Sequence, residues 1–422
     1  MFDRDVVVVG AGVAGLTAAY RLRKQNVEVL DADSHVGGRT LSEQFPDGGW
    51  ANFAAQYLSP DKINVLELAQ ELELTLLPVE FPEAELRGMS GTTPDELEDI
   101  RHAVARLEAE SANPRPATAE ELDDVSLAQY LRDEPRHVRG YFEHWCASLM
   151  CASSAETSVY GALMLWGDQR TSAFNNVVVP RSNRGDCVFD GGTNQLTLAL
   201  AKKSAASIHL DTEVVSVRPA HGGYQVIAKC ANRERRITAR QVVCALPATV
   251  AAEVCMQLPD WKRDALSSVQ YGRFLSTPIG ITAHKAAGTT YTRTWCRPGQ
   301  VYNSNNFALR TPGDIERSGG CFHSYIYDMY ARQVWDDPEH TVKTGAADAL
   351  LDRYPQFEGR IRSVGYKRWR YGLPRYAPGR MKLQSALERS VDGIHFCGDY
   401  IFHANSDGAV RSANRAAESV MA

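Results

Sequence analysis

Four consecutive valines, Val6–Val9, stand between the charged pair Arg4-Asp5 and Gly10, which predicts a fully buried strand. Leu16, Ala19 and Leu22 then recur at helical spacing, and Val27–Leu30 returns to a strand. That order is a β-α-β unit, whose crossover makes a parallel pair. Residues 95–134 differ, with twelve acids against four Arg at helical apolar spacing, and read as solvated helices laid over another domain. Proline and glycine gather around Pro180–Gly192, and β-branched strands follow at Glu213–Val217 and Ile237–Leu246. The last stretch, Ile394–Ala422, repeats the opening order of strand, glycine and helix. The pattern predicts two interleaved domains: 1–80, 188–253 and 385–422 in one, 81–187 and 254–384 in the other. A nucleotide-binding sheet needs this discontinuity if its first and last pieces are to meet at one ligand.

Composition narrows the class. The 422 residues are 44% apolar and 23% charged, enough for two packed domains and outside the disordered range. Lys and Arg total 46 against 51 Asp and Glu, a net charge of −5 that argues against nucleic acid as a partner. No apolar run suits a signal peptide or a membrane span. Nine scattered cysteines, Cys146 to Cys397, form no C-x-x-C pair, so reduced thiols and a cytoplasmic location are expected. The histidines show no metal-ligand spacing, and no metal is expected.

Gly10-Ala11-Gly12-Val13-Ala14-Gly15 matches G-x-G-x-x-G between the first strand and the first helix. The first glycine allows the tight turn, the second lets backbone approach a diphosphate, and the third lets helix pack on strand. Asp31 ends the second strand 21 residues after Gly10, where a carboxylate reaches ribose hydroxyls and disfavours a 2′-phosphate. Ala32 follows it. A second glycine pair, Gly37-Gly38, precedes Arg39 and adds donors for the same diphosphate.

With these motifs the chain resembles the flavin-containing amine oxidase family, which includes monoamine oxidases, amino-acid oxidases, protoporphyrinogen oxidase and carotenoid desaturases. The resemblance implies an α/β fold: a glutathione-reductase-like, FAD-binding Rossmann domain interleaved with an α+β substrate domain. It continues in Asn52-Phe53-Ala54-Ala55-Gln56-Tyr57, similar to the segment whose small residues let backbone lie against the flavin. Here Asn52 replaces the family's acid, and Ala54 and Ala55 its glycines. Gly191–Leu196 resembles the middle GG-x-x-x-L element, Thr212-Glu213-Val214 the strand whose valine meets adenine, and Val242–Pro247 the strand returning to the FAD domain. Gly398-Asp399 and Asp407-Gly408-Ala409-Val410-Arg411 resemble the second FAD signature, with the acid on the ribityl–phosphate region and the last helix aimed at the flavin.

The implied chemistry is hydride transfer from a C–N bond of an amine, amino acid or amide-like intermediate to flavin N5, with O2 as electron acceptor and H2O2 as product. By resemblance Trp369, Tyr371 and Tyr376 wall the flavin and hold an amine by cation–π attraction; each also reads as an ordinary core aromatic. Leu373-Pro374 stands where monoamine oxidases carry a flavin-linking cysteine, so the FAD is expected to be non-covalent. Ser318-Gly319-Gly320-Cys321-Phe322 mimics that linking peptide but precedes Trp369 instead of following it. The family's oxygen-assisting lysine is missing from the matching strand, Leu275–Ala283. His403, with Asn405 and Tyr400 nearby, is a candidate acid, base or substrate anchor, or a loop histidine bonded to backbone. Residues 360–389 hold nine Lys and Arg against one acid, read as a solvated face in preference to an anion funnel. C–C desaturation or isomerisation of a hydrophobic substrate is the alternative activity, and a non-catalytic flavoprotein subunit a third. Monomer and homodimer both stay open.

Overall fold

The valine strand forms as Arg4–Val9 and lies within a seven-stranded sheet of the computed structural model. The structure describes residues 2–44, 50–78, 93–112, 116–168, 186–231, 233–282, 292–297, 300–305, 320–353 and 355–422. Residues 180–185, 283 and 318–319, and the expected boundary between 80 and 81, lie outside them. Arg4–Val9 pairs parallel with Val27–Leu30 on one side and with the long strand Arg233–Cys244 on the other. Ser207–His209 extends the parallel order beyond Val27–Leu30, and Ile394–Phe396 runs parallel beside Val242–Cys244. The first half of Arg233–Cys244 instead pairs antiparallel with Gly223–Cys230, which pairs antiparallel with Thr212–Ala220. Val6 to Val9 are buried on both faces, as an unbroken apolar run in a parallel neighbourhood requires.

The helices Val13–Arg21 and Ser406–Met421, with Ile63–Glu71 and Asn194–Lys203 beside them, build the core on one face of this sheet. Ala248–Val254, Asp260–Ser267 and Gln384–Glu388 build the core on the other. The carboxyl ends of the parallel strands therefore open on Gly10, Asp31, Ala245 and Gly398, where doubly wound sheets bind ligands.

A second seven-stranded sheet runs in the order Thr292–Arg297, Gln300–Asn305, Gly320–Tyr327, Tyr271–Ser276, Lys367–Pro374, with Ile279–Ile281 and Ile361–Val364 attached at one side. All its pairs are antiparallel. Its back is covered by Asp328–Val334 and Glu339–Arg353, against which Leu275, Ile326, Phe322 and Ile279 pack. The acid-rich stretch does form a helix, Pro94–Ala112, but only half of it is solvated. Ile100, Ala103, Val104 and Leu107 are buried with Phe142 and Trp145, while Glu98 and Asp99 face water. The chain is a mixed α/β protein with one mainly parallel and one antiparallel sheet.

Candidate functional site

Gly10 has φ +105° and donates its N–H to the Leu30 carbonyl at 2.8 Å, turning the chain sharply off the first strand. The other two glycines differ in what surrounds them. A Cβ on Gly15 would lie 1.8 Å from the Gly10 carbonyl oxygen, so this position admits only glycine. A Cβ on Gly12 would meet nothing within 4 Å, so its bare backbone faces open space. Gly37 bridges to Gly12 and donates to the Ala11 carbonyl at 2.9 Å, which brings the two glycine turns together. Ala14 is buried beside them on the first helix turn. This arrangement fits a diphosphate lying over Gly12, Gly38 and the helix N-terminus.

Asp31 is held from the same side. Its carboxylate accepts the Ala11 and Asp33 backbone N–H groups. Burial raises its pKa, against the two backbone donors that lower it. The Asp31 carbonyl accepts the Thr212 N–H at 2.7 Å, which brings Val214, 8% exposed, to the same edge. Ala32 lies exposed at this edge.

The segment 52–57 is pinned from three directions. Asn52 Oδ1 accepts from Ser42 Oγ at 2.7 Å and from the Thr193 N–H at 3.1 Å, so an amide oxygen serves where the family has an acid. The Ala55 N–H donates to the Arg39 carbonyl at 3.1 Å, and Thr193 Oγ1 donates to the Ala55 carbonyl at 3.3 Å. From the second sheet, the Tyr325 hydroxyl donates to the Ala54 carbonyl at 3.0 Å and accepts from Gln56 Nε2. Tyr57 is half-buried at the end of this run. Trp369 Nε1 donates to the Phe53 carbonyl at 3.0 Å. Ala54 and Ala55 therefore lie between the dinucleotide cradle and the antiparallel sheet.

Arg39 joins the two ends of the chain. Its guanidinium makes a two-pronged pair with Asp399 and donates a further bond to the Gly372 carbonyl at 2.8 Å. Burial opposes its charge, but the Asp399 carboxylate outweighs that and holds its pKa above the ordinary value. Beside this pair Tyr271 meets Tyr371 edge-on, ring centroids 5.5 Å apart, and accepts the Ala248 N–H at 2.8 Å. Burial pushes the Tyr271 hydroxyl pKa up.

At the C-terminus, Gly398 donates to Ser412 Oγ at 2.9 Å. The last helix is capped by Asn405, whose side-chain oxygen accepts the Gly408 N–H at 2.9 Å. Ala409 and Val410 are buried along its first turns. A Cβ on Gly408 would lie 2.2 Å from the His403 carbonyl oxygen, so the helix seats directly on that loop. Asn405 Nδ2 and the Tyr400 hydroxyl are buried without a hydrogen-bond partner among the described residues. Asp407 does something else. It accepts from the Val65 N–H at 3.0 Å and Asn64 Nδ2 at 2.8 Å, fastening the last helix to the N-terminus of Ile63–Glu71.

The substrate-side aromatics separate. Trp369 is 8% exposed and packs with Phe274, Tyr325 and Tyr327, the two tyrosines stacked at 5.9 Å. Tyr376, expected beside Trp369, lies elsewhere: the strand ends at Pro374 and its ring joins the helical core against Gly161. Its hydroxyl accepts the Ala404 N–H at 2.9 Å and donates to the Phe402 carbonyl at 3.4 Å, which braces the loop carrying His403. His403 is half-buried, and its backbone carbonyl accepts the Asn405 N–H at 2.7 Å. Cys321 sits in the Trp369 cluster, where burial pushes its thiol pKa up, opposite to an activated thiolate. Phe274, Tyr325 and Tyr327 were not singled out by sequence; the one available signal was Tyr325 and Tyr327 two apart on a strand.

The basic stretch 360–389 is not one solvated face. Arg375 and Arg380 are buried; Arg375 pairs with Glu156 and Asp328, and Arg380 donates to the Tyr400 carbonyl. Lys382 pairs with Asp124.

A dinucleotide cradle facing an aromatic floor across a short shared segment is the layout of a cofactor-dependent oxidoreductase. The model of the flavin containing amine oxidoreductase family matches residues 13–421. The chain belongs to this family and is an oxidoreductase. It is 23% identical over 463 residues to amine oxidase [flavin-containing] B of Sus scrofa, covering 99% of this chain and 86% of that one. It is 36% identical over 150 residues to putrescine oxidase of Kocuria rosea, 31% of each chain. With the L-amino acid dehydrogenase of Synechocystis it shares 26% over 252 residues, 53% of this chain and 52% of that one, so the match spans about half of that relative. The structure of putrescine oxidase bound to putrescine superposes with a TM-score of 0.79 at 19% identity, over 99% of both chains. Cyclohexylamine oxidase from Brevibacterium oxydans gives 0.78 at 19%, over 99% of this chain and 98% of that one. At such identity the likeness shows a common fold. Among the described residues no helix is long and apolar enough to cross a membrane.

Proposed function

We propose that the chain is an FAD-dependent oxidase that converts a C–N bond of a small-molecule amine, amino acid or amide-like intermediate to an imine, with O2 reduced to H2O2. The observation that carries this reading is the aromatic floor of Trp369, Phe274, Tyr325 and Tyr327, hydrogen-bonded through Trp369 and Tyr325 to the backbone of Phe53 and Ala54. FAD, when bound, supplies the two-electron acceptor. Gly10, Gly12, Gly38 and the first helix hold its diphosphate, Asp31 its ribose, and Val214 its adenine edge. Ala54, Ala55 and Gln56 meet its ring, and Asn405 and the last helix offer donors to a negative charge there. Residues 1–80, 188–253 and 385–422 are assigned to the glutathione-reductase-like binding domain, to which Asp260–Ser267 must be added because Ala265 and Leu266 pack in its core, and the rest of 81–187 and 254–384 to the substrate domain. Leu373 and Pro374 offer no thiol at the linking position, so the cofactor is held without a covalent bond.

Electron-rich rings attract the cationic form of an amine and orient its α-C–H, and aromatic walls exclude water from the reacting bond. No side-chain base is needed if the amine binds neutral. The test is anaerobic mixing with amines, amino acids and tetrapyrrole precursors while flavin absorbance is followed. Bleaching by amines or amino acids supports the reading; bleaching only by the tetrapyrrole precursors overturns it.

A further inference from the structure

Among the described residues a positive charge stands beside the aromatic floor. In the antiparallel sheet Phe274 stands between Trp369 and Tyr327, and Ser276 stands between Lys367 and Tyr325. Because side chains alternate along a strand, these two rows share a face. The intervening Leu275 packs on the opposite side with Ile326, Ala331 and Val342, and the intervening Arg368 is exposed. The second row thus sets an ammonium and a hydroxyl beside the aromatic rings. Lys367 Nζ lies 5.4 Å from the centroid of the Trp369 ring, and Lys367 is half-buried with no carboxylate at ion-pair distance among the described residues. Ser276 is wholly buried, and its hydroxyl has no hydrogen-bond partner among the described residues. A buried hydroxyl without a partner is costly, and a functional ligand is one of the few reasons to keep one. Neither row contributes an acid.

This asymmetry selects among amines. A diamine would bring its second ammonium against Lys367, where like charges repel. A carboxylate would find a cation and a hydroxyl donor side by side, the arrangement that makes strong charge-assisted bonds. We infer that Lys367 and Ser276 form a carboxylate subsite, and that the amine oxidised by this protein bears a carboxylate. Lys367 is then a specificity-determining residue, with Trp369 holding its ammonium by cation–π attraction until the anion arrives. This deepens the amine-oxidase reading and rests on it.

The holoenzyme tests the inference in two arms. The binding arm titrates 3-phenylpropanoate, a carboxylate with no amine, against the absorbance of the bound flavin. The turnover arm compares KM for L- and D-phenylalanine with KM for phenylethylamine, which lacks only the carboxylate. Lys367→Met is expected to weaken 3-phenylpropanoate and the reactive phenylalanine enantiomer by roughly ten- to a hundred-fold. The loss for phenylethylamine should be at least about five-fold smaller, because its missing carboxylate never meets Lys367. Lys367→Arg should retain most of the binding, and Ser276→Ala should lose a few-fold of it. Flavin occupancy and melting temperature guard against misfolding, and the arginine variant keeps the question answerable if the methionine variant is damaged. The subsite is overturned if 3-phenylpropanoate fails to bind, or if Lys367→Met leaves its affinity unchanged or weakens phenylethylamine equally. Should no amine or amino acid reduce the flavin, the amine-oxidase reading fails, and the binding arm still decides whether the carboxylate subsite exists.

Discussion

Arg39 and Asp399 are 360 positions apart in the chain and meet through two hydrogen bonds, Nη1 to Oδ2 at 2.6 Å and Nη2 to Oδ1 at 2.8 Å. The Asp399 side chain is 6% exposed and the Arg39 side chain 33%. A third bond from Arg39 to the Gly372 carbonyl ties in the strand that carries Trp369. One guanidinium thus fixes the second glycine turn, the C-terminal glycine-acid segment and the antiparallel sheet relative to one another. A double-mutant cycle with Arg39→Met and Asp399→Asn, read by chemical unfolding, should return a coupling energy of about 1.5–3 kcal/mol. Strict additivity would mean the pair holds nothing together.

The three glycines of the first motif make separable predictions. Gly12 has φ −74° and open space where a Cβ would go, so Gly12→Ala should leave the melting temperature nearly unchanged while weakening FAD binding. Gly15→Ala drives a methyl into the Gly10 carbonyl and should lose both. Calorimetry with and without added FAD checks each variant. Equal loss of melting temperature in both would show that Gly12 serves packing alone.

Asp31→Ala removes the carboxylate proposed to hold the ribose and also releases the Ala11 and Asp33 N–H groups. FAD affinity should fall about ten- to a hundred-fold, from charge-assisted bonds of roughly 1.5–3 kcal/mol. Asp31→Asn keeps one acceptor and should lose less. Equilibrium titration of the stripped protein with FAD measures both.

The dinucleotide end was legible because its geometry is local. Gly10, Gly15 and Asp31 are dictated by a turn, a close approach and a strand end within about thirty residues. The substrate end was not, because Phe274, Tyr325, Tyr327 and Trp369 share one sheet face only through pairing between distant strands. Tyr376 follows Trp369 closely in sequence, but once the strand ends at Pro374 nothing local says which way the chain turns. Asp407 looked like part of a cofactor signature, and its helix-anchoring bond to Val65 depends on a contact 342 residues away.

Trp369 packs in the aromatic cluster and is proposed to wall the substrate site, so truncation to alanine mixes the two effects, with about 3–5 kcal/mol expected from packing alone. Trp369→Phe keeps an apolar ring and removes the 3.0 Å bond to the Phe53 carbonyl. Stability should fall by about 1–3 kcal/mol, since the buried Phe53 carbonyl loses its donor. Flavin reduction should slow more than FAD binding weakens, since hydride transfer tolerates little slack in the donor's position. Stopped-flow reduction alongside calorimetry gives both numbers, and unchanged reduction would assign Trp369 to packing.

His395 makes the fold sensitive to acid. Its Nε2 lies 2.7 Å from Gln241 Oε1 and its Nδ1 3.0 Å from Ser390 Oγ, partners suited to the neutral ring. Burial lowers its pKa from 6.5 to about 4. The unfolded chain therefore takes up a proton that the folded chain refuses across that window. The contribution is fully present above pH 6.5 and is lost as pH falls toward 4, by up to about 3 kcal/mol. His395→Gln should flatten this part of the profile in denaturant titrations; an unchanged acid slope would place the sensitivity elsewhere.

The aromatic floor is proposed to present a C–N bond to a bound flavin. The most direct measurement of this is the flavin absorbance on anaerobic mixing with amines and amino acids, followed by admission of O2. Bleaching is expected with at least one of them, followed by recovery of the oxidised spectrum with O2 and one equivalent of H2O2 per flavin. A flavin that stays oxidised with every amine and amino acid, yet bleaches with a tetrapyrrole precursor, would contradict this reading.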